Sequence, residues 1–151
     1  MFVLTNAAKS MFVLTLVFLG AAVFAGSDHE AVERAVLDYV EAVEQGKPEL
    51  IERGVHRDLA KFGFHRENPG DAFRVIPMTF DQLVELAATM KEKGYVPDNP
   101  EHSVEIFEVL DQTASVKLTA FWGIDYMHLA KYDGQWKIVQ VLWQSAPPVQ
   151  Q

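Results

Sequence analysis

The sequence predicts an α+β fold: a curved, cone-shaped antiparallel sheet with helices packed across its concave face. The first observation is the last third of the chain, Ser103 to Ser145, where four β-rich runs follow one another with almost nothing between them. Turns this short join antiparallel neighbours, because parallel strands need a crossover of about a dozen residues or more. The second is that helical patterns precede this meander. The third is proportion. A single long twisted sheet has a face to cover and few residues left to cover it. A cone with a pocket between sheet and helices is the economical solution.

The elements follow in order. His29–Gln45 reads as the first helix, with Val32, Ala35, Val36, Tyr39, Val40 and Val43 at three- and four-residue spacing on one apolar face. Ser27 or Asp28 caps its start, Glu30 and Glu33 suit the positive end of its dipole, and Gly46 ends it. Pro48 opens a short second helix, Pro48–Gly54. After the step Val55–Asp58, Leu59–His65 is a strand with Phe62 and Phe64 on one face. Asn68-Pro69-Gly70 turns the chain, and Phe73–Ile76 returns as a short partner strand. Thr79 and Gln82 form a capping-box pattern that starts a third helix running to Lys93, with Gly94 as its stop. Tyr95–His102, holding Pro97 and Pro100, is a loop.

The meander comes next. Ser103–Leu110 is the first of its strands. Thr113–Trp122 alternates, with Ala114, Val116, Leu118 and Ala120 on one face and Ser115, Lys117 and Thr119 on the other. Gly123-Ile124 breaks the run, Asp125–Tyr132 continues it, and Gln135–Gln144 closes it. Asp133-Gly134 between the last two is a strong hairpin signal, since both central residues of a type I′ turn need positive φ.

Composition narrows the function. The 151 residues suggest one domain, and a hydrophobic share of 49% supplies a core. The net charge is -8 and there is no basic stripe, which argues against nucleic-acid binding through phosphate neutralisation. Cysteine is absent, which removes disulfides, thiolate catalysis and cysteine-based zinc sites. No pair among His56, His65, His102 and His128 has metal-ligand spacing, so no metal is expected. There is no nucleophile elbow, phosphate-cradling glycine loop or dinucleotide fingerprint, so no nucleotide cofactor is expected either.

The N-terminus reads as a targeting segment. Met11–Ala25 is an apolar run preceded by Lys9 and closed by Val23-Phe24-Ala25. An apolar run of about 15 residues ending in small ones fits a secretory signal better than a span of about 20. The expectation is a signal peptide over residues 1–25 and a periplasmic or secreted domain over 26–151, off the membrane once cleaved. An uncleaved anchor is the alternative. Met1–Thr5 recurs as Met11–Thr15, which leaves the start codon open.

Three segments carry a resemblance. They are Val32–Gly46 ending Glu44-Gln45-Gly46-Lys47-Pro48, the step Val55-His56-Arg57-Asp58, and Asp125-Tyr126-Met127-His128-Leu129 leading into the Asp-Gly hairpin. In this order the chain resembles the nuclear transport factor 2-like superfamily, over about Glu30 to Gln144. Within it, the chain looks most like the branch labelled putative lumazine-binding, related to polyketide-cyclase-like and ketosteroid-isomerase-like proteins. The resemblance implies the cone fold, a pocket inside it and a carboxylate in the pocket of enzymatic members.

The candidate residues each have two readings. Asp125, near Trp122, is a general base with a raised pKa, or a carboxylate paired at the strand entrance. His56 is a proton shuttle or ligand contact beside Asp58, or part of a turn that Asp58 caps. Period two puts His128 and Asp125 on opposite faces, so they do not form one dyad. Trp122, Trp143 and Phe64 line a pocket for a flat ring, or are ordinary core. Tyr39 on the first helix, Tyr126 and His128 join them as ligand contacts. Arg74 anchors an anionic or carbonyl ligand, or guards a sheet edge.

The favoured function is non-catalytic binding of a small hydrophobic or aromatic ligand, in a homodimer formed through the convex face near Lys117, Thr119 and Phe121. One alternative is a cofactor-independent isomerase, dehydratase or cyclase, with Asp125 or His56 as base and Tyr126 or Arg74 as donor. The other is an interaction module with a filled pocket.

Overall fold

A computed structural model describes residues 27–146 of the chain. The segment expected to be a signal peptide, 1–25, lies outside the described residues, as does Pro147-Pro148. Three helices and six strands follow in the order α1 (Asp28–Gln45), α2 (Pro48–Gly54), β1 (Val55–His65), β2 (Arg74–Met78), α3 (Phe80–Thr89), β3 (Ser103–Val109), β4 (Thr113–Ala120), β5 (Gly123–Tyr132) and β6 (Gln135–Ser145).

The ends of the helices come from local chemistry. Ser27 and Glu30 form a reciprocal capping box at the start of α1, and Gly46 closes it at φ 72°. Thr79 and Gln82 do the same for α3. α3 stops at Thr89 rather than continuing to Lys93. Thr89 Oγ1 donates to the Glu85 carbonyl at 3.0 Å, and residues 90–94 continue only as turns. α2 packs so closely on α1 that a Cβ at Gly54 would lie 2.7 Å from the Ala35 carbonyl oxygen.

The strands form one sheet in the order β2-β1-β6-β5-β4-β3. All pairs are antiparallel except β1 with β6, so the sheet is mixed rather than purely antiparallel. The meander folds back strand by strand until β6 reaches β1 running in the same direction. β2, α3, the loop and β3 to β5 supply the long connection a parallel pair requires.

Several boundaries shift for identifiable reasons. β1 takes in the Val55–Asp58 step through a register shift between Val55 and Ala60. β2 runs on through Pro77, which an edge strand tolerates because its free side needs no donor. The β4–β5 turn is Phe121-Trp122, not Gly123-Ile124. Ala120 pairs with Gly123, whose φ of 143° and approach to the Gln144 carbonyl leave no room for a Cβ. Asp133 and Gly134 both have positive φ, at 49° and 77°, which closes the last hairpin.

The helices cover one sheet face. Beneath α1, Val32, Val36 and Val40 meet Val116, Leu118, Leu129 and Ile138, all buried. The opposite face carries exposed Phe62, Phe64, Val75, Tyr126 and Leu142.

Candidate functional site

At one end of the concave face the core gives way to a cavity of about 260 Å³. α1 contributes Tyr39 and Val43, α3 and the turn after it Leu86 and Met90, β1 Lys61 and His65, and β2 Met78. Trp122 from the β4–β5 turn and Trp143 from β6 complete the wall. Tyr39, Val43 and Lys61 are buried at its floor, and the other lining residues are partly exposed toward its mouth.

The floor is polar in an otherwise apolar cavity. Alternation along β1 turns Leu59, Lys61 and Gly63 inward, and leaves Lys61 only 6% exposed. Its ammonium donates to the Tyr39 hydroxyl at 2.7 Å and lies 3.5 Å from Asp125 Oδ1. It also sits about equally far from the Tyr39 and Trp143 ring centroids, at 5.4 and 5.5 Å. Tyr39 donates to Asp125 Oδ1 at 3.4 Å, and the Trp122 indole N–H donates to Asp125 Oδ2 at 2.6 Å. Asp125 itself is fully buried and does not line the cavity. Lys61, Tyr39 and Trp122 stand between it and the open space.

Burial dominates the proton affinities of this cluster. It pushes the Asp125 carboxyl above its ordinary range, against the opposing pull of Lys61 and of the Trp122 and Tyr39 hydrogen bonds. It pushes the Lys61 ammonium below its ordinary value, against the attraction of Asp125. It pushes the Tyr39 phenol well above its ordinary value, and the Asp125 charge adds to that.

Two further features shape the wall. The Trp143 ring lies over Gly63 so closely that a Cβ there would fall 1.8 Å from its Nε1 and Cε2. That Nε1 is the one buried side-chain polar atom without a partner among the described residues. His65 Nδ1 lies 3.1 Å from Ser145 Oγ, which ties the ring to the end of β6.

Of the residues singled out from sequence, the structure brings Tyr39, Trp122, Asp125 and Trp143 together. It leaves the others elsewhere. Tyr126 and His128 project from the opposite sheet face, where His128 Nδ1 lies 2.7 Å from Gln140 Oε1. Asp125 and His128 are thus on opposite faces. Phe64 is on the outer face as well, because β1 alternates in the other phase. Arg74 is exposed at the edge and pairs with Glu67 at 3.2 Å. His56 stacks on Tyr132 with ring centroids 4.4 Å apart, and its Nδ1 accepts the Asp58 amide. Asp58 therefore holds a local turn with His56. Lys61 and His65 were not among the candidates. A lone glycine inside a strand, Gly63, marked the close approach of another group to this strand.

Among the described residues no group of three or more acidic or histidine side chains is placed to hold a metal ion. No helix among them is long and apolar enough to cross a membrane.

The profile of the family described as "putative lumazine-binding" matches residues 27–144. The chain belongs to this family. Its fold is that of the nuclear transport factor 2-like superfamily. A nuclear transport factor 2-like protein of unknown function from Shewanella baltica is 15% identical, with a TM-score of 0.64 over 79% of this chain and 94% of that one. A ketosteroid isomerase-like protein from Erwinia carotovora atroseptica is 16% identical, with a TM-score of 0.57 over 82% and 99%. A protein described as a "putative scytalone dehydratase" from Novosphingobium aromaticivorans is 19% identical, with a TM-score of 0.53 over 79% and 84%. At these identities the likeness is one of fold. No curated protein matches the chain.

Proposed function

We propose that this protein binds a small, largely apolar ring compound carrying a hydrogen-bond acceptor, in the cavity between α1, α3 and the sheet. The observation that carries the reading is Lys61, a buried ammonium at the floor of a cavity whose walls are otherwise mostly apolar and aromatic. An engineered cavity of about 150 Å³ accepts benzene, so 260 Å³ suits a one- or two-ring molecule. The floor offers a donor, the remaining N–H of Lys61. A ligand acceptor aimed at it replaces the water the ammonium loses on burial. The family description and the ring-lined wall both favour a flat ligand.

Binding is favoured over turnover because Asp125 is walled off. A general base must come within hydrogen-bond reach of the proton it takes, and Lys61, Tyr39 and Trp122 occupy that position. Fluorescence titration of Trp122 and Trp143 tests the reading with indane and its lactam analogue isoindolinone. The lactam is expected to bind about tenfold tighter, the worth of one hydrogen bond to a charged donor. Lys61→Met is expected to abolish that preference. Equal affinities in the unaltered protein would overturn it.

Two further readings accompany this one. The apolar outer sheet face, where Phe62 pairs with Leu142 and Leu142 with Tyr126, favours association of two copies. The apolar run closed by Val23-Phe24-Ala25 favours export and cleavage before Gly26. N-terminal sequencing of the protein recovered from its producing cell tests the latter, and a start at Met1 or Met11 would refute cleavage.

A further inference from the structure

We propose that Lys61 captures aldehydes and ketones in the cavity as a reversible Schiff base, so that the ligand class is a ring compound bearing a reactive carbonyl. This rests on the cavity being a ligand site. It goes beyond that reading by assigning a covalent role to one amine.

The geometry supplies what imine formation needs. The amine must be reachable, held in an apolar site, and close to groups that take and return protons. Lys61 lines the cavity, with its Nζ 2.7 Å from the Tyr39 hydroxyl and 3.5 Å from Asp125. Tyr39 in turn donates to Asp125, so a continuous hydrogen-bonded path joins amine and carboxylate. Burial lowers the proton affinity of the amine and raises that of the carboxyl, which narrows the gap a proton crosses between them.

The step balances without a co-reactant. The ammonium passes a proton through Tyr39 to Asp125 and becomes a free amine. Its nitrogen bonds to the carbonyl carbon while a proton moves from nitrogen to the carbonyl oxygen, which gives a carbinolamine. Asp125 returns its proton through Tyr39 to the hydroxyl, the C–O bond breaks and water leaves. The product is a protonated imine that keeps one positive charge beside the Asp125 carboxylate, as the ammonium had done. Tyr39 passes these protons to and from the reacting atoms, and Asp125 acts through Tyr39.

The test is reductive trapping. The protein is incubated with benzaldehyde and sodium cyanoborohydride, and the adduct is located by peptide mapping. Exposed Lys47, Lys91 and Lys93 serve as internal controls for non-specific reaction. A single adduct at Lys61 is expected, lost in Lys61→Met. Asp125→Asn and Tyr39→Phe are expected to slow trapping about a hundredfold, the low end of the usual contribution of a positioned acid–base group. Circular dichroism verifies that each variant is folded. Isoindolinone, whose lactam carbonyl does not form imines, is titrated in parallel. Isoindolinone binding without an adduct at Lys61 would overturn the covalent role and leave the cavity reading standing. Neither binding nor adduct would overturn both. Adducts spread over the exposed lysines and unchanged in Lys61→Met would overturn the covalent role.

Discussion

The contact between Lys61 and Asp125 makes a prediction that reaches beyond stability to its pH dependence. At 3.5 Å the pair attracts by about 5 kcal/mol at an effective dielectric constant of about 20. Desolvation of both groups consumes most of that. Removing one partner leaves the other buried and unpaired. Lys61→Met and Asp125→Asn are therefore each expected to cost about 3 kcal/mol at neutral pH, and the double variant no more than either alone. The cycle then gives a coupling energy of about 3 kcal/mol, and each single variant melts roughly 10 °C lower. Urea unfolding followed by tryptophan emission measures all four proteins. The signs with pH separate the two singles. In Lys61→Met, Asp125 loses its counter-charge and its raised pKa climbs further. The folded state then holds a proton that the unfolded state gives up, so the deficit is absent below about pH 4 and grows as pH rises from there to the folded pKa. In Asp125→Asn, the already lowered Lys61 pKa falls further. The unfolded state then holds the extra proton, so the deficit shrinks as pH rises from the folded pKa toward about 10.4. A coupling energy under about 0.5 kcal/mol, or pH slopes of the same sign in both singles, would refute a buried, interacting charge pair.

Other outcomes follow from the same geometry. Gly63→Ala drives a methyl into the Trp143 ring and is expected to cost about 1–3 kcal/mol, shift tryptophan emission and abolish isoindolinone binding; unchanged emission and affinity would show that the ring does not lie where described. In an alkaline titration followed at 295 nm, Tyr39 is expected to resist ionisation until the protein unfolds. Because the folded state keeps the phenol proton, stability should fall as pH rises past about 10, and Tyr39→Phe should remove both effects. Leu142→Lys on the outer sheet face is expected to give a monomer in sedimentation analysis without loss of ligand binding, and an unchanged association state would dismiss that face as the dimer contact.

How much of this was legible beforehand depended on whether a signal was local. The cap at Ser27, Thr79 with Gln82, and Asp133-Gly134 act within a few residues, and each appears where its chemistry places it, with Glu30 closing the box on Ser27 as well as facing the dipole. The meander followed from its short turns. The parallel joint between β1 and β6 was not legible, because strands far apart in sequence leave no mark of their pairing. The phase of β1 was misleading for a physical reason. Of its two alternating sets, Phe62 with Phe64 is the more hydrophobic, so hydropathy favours turning them inward. The folded chain turns Leu59, Lys61 and Gly63 inward instead. That choice hid Lys61 and placed Phe64 in the pocket, where it is not. Tyr39, Trp122 and Trp143 face the cavity, as their phase suggests, because each occupies an apolar phase that agrees with its surroundings.

The two ends of the concave face embody different solutions to the same problem. Under α1, valines, leucines and an isoleucine form a buried core. At the other end α3 stops at Thr89, and Leu86 and Met90 overhang the sheet without reaching a filled layer beneath. There β1 presents Lys61 and His65 where an aliphatic pair would have closed the core. Closing it with apolar side chains is the arrangement stability alone would favour, because a buried ion pair commonly does no better than the hydrophobic residues that replace it. Lys61→Met combined with Asp125→Leu is accordingly expected to be at least as stable as a variant lacking only one partner, yet unable to distinguish isoindolinone from indane. Stability retained and discrimination lost in the same protein would place the value of this pair in what it holds rather than in the fold it sits in.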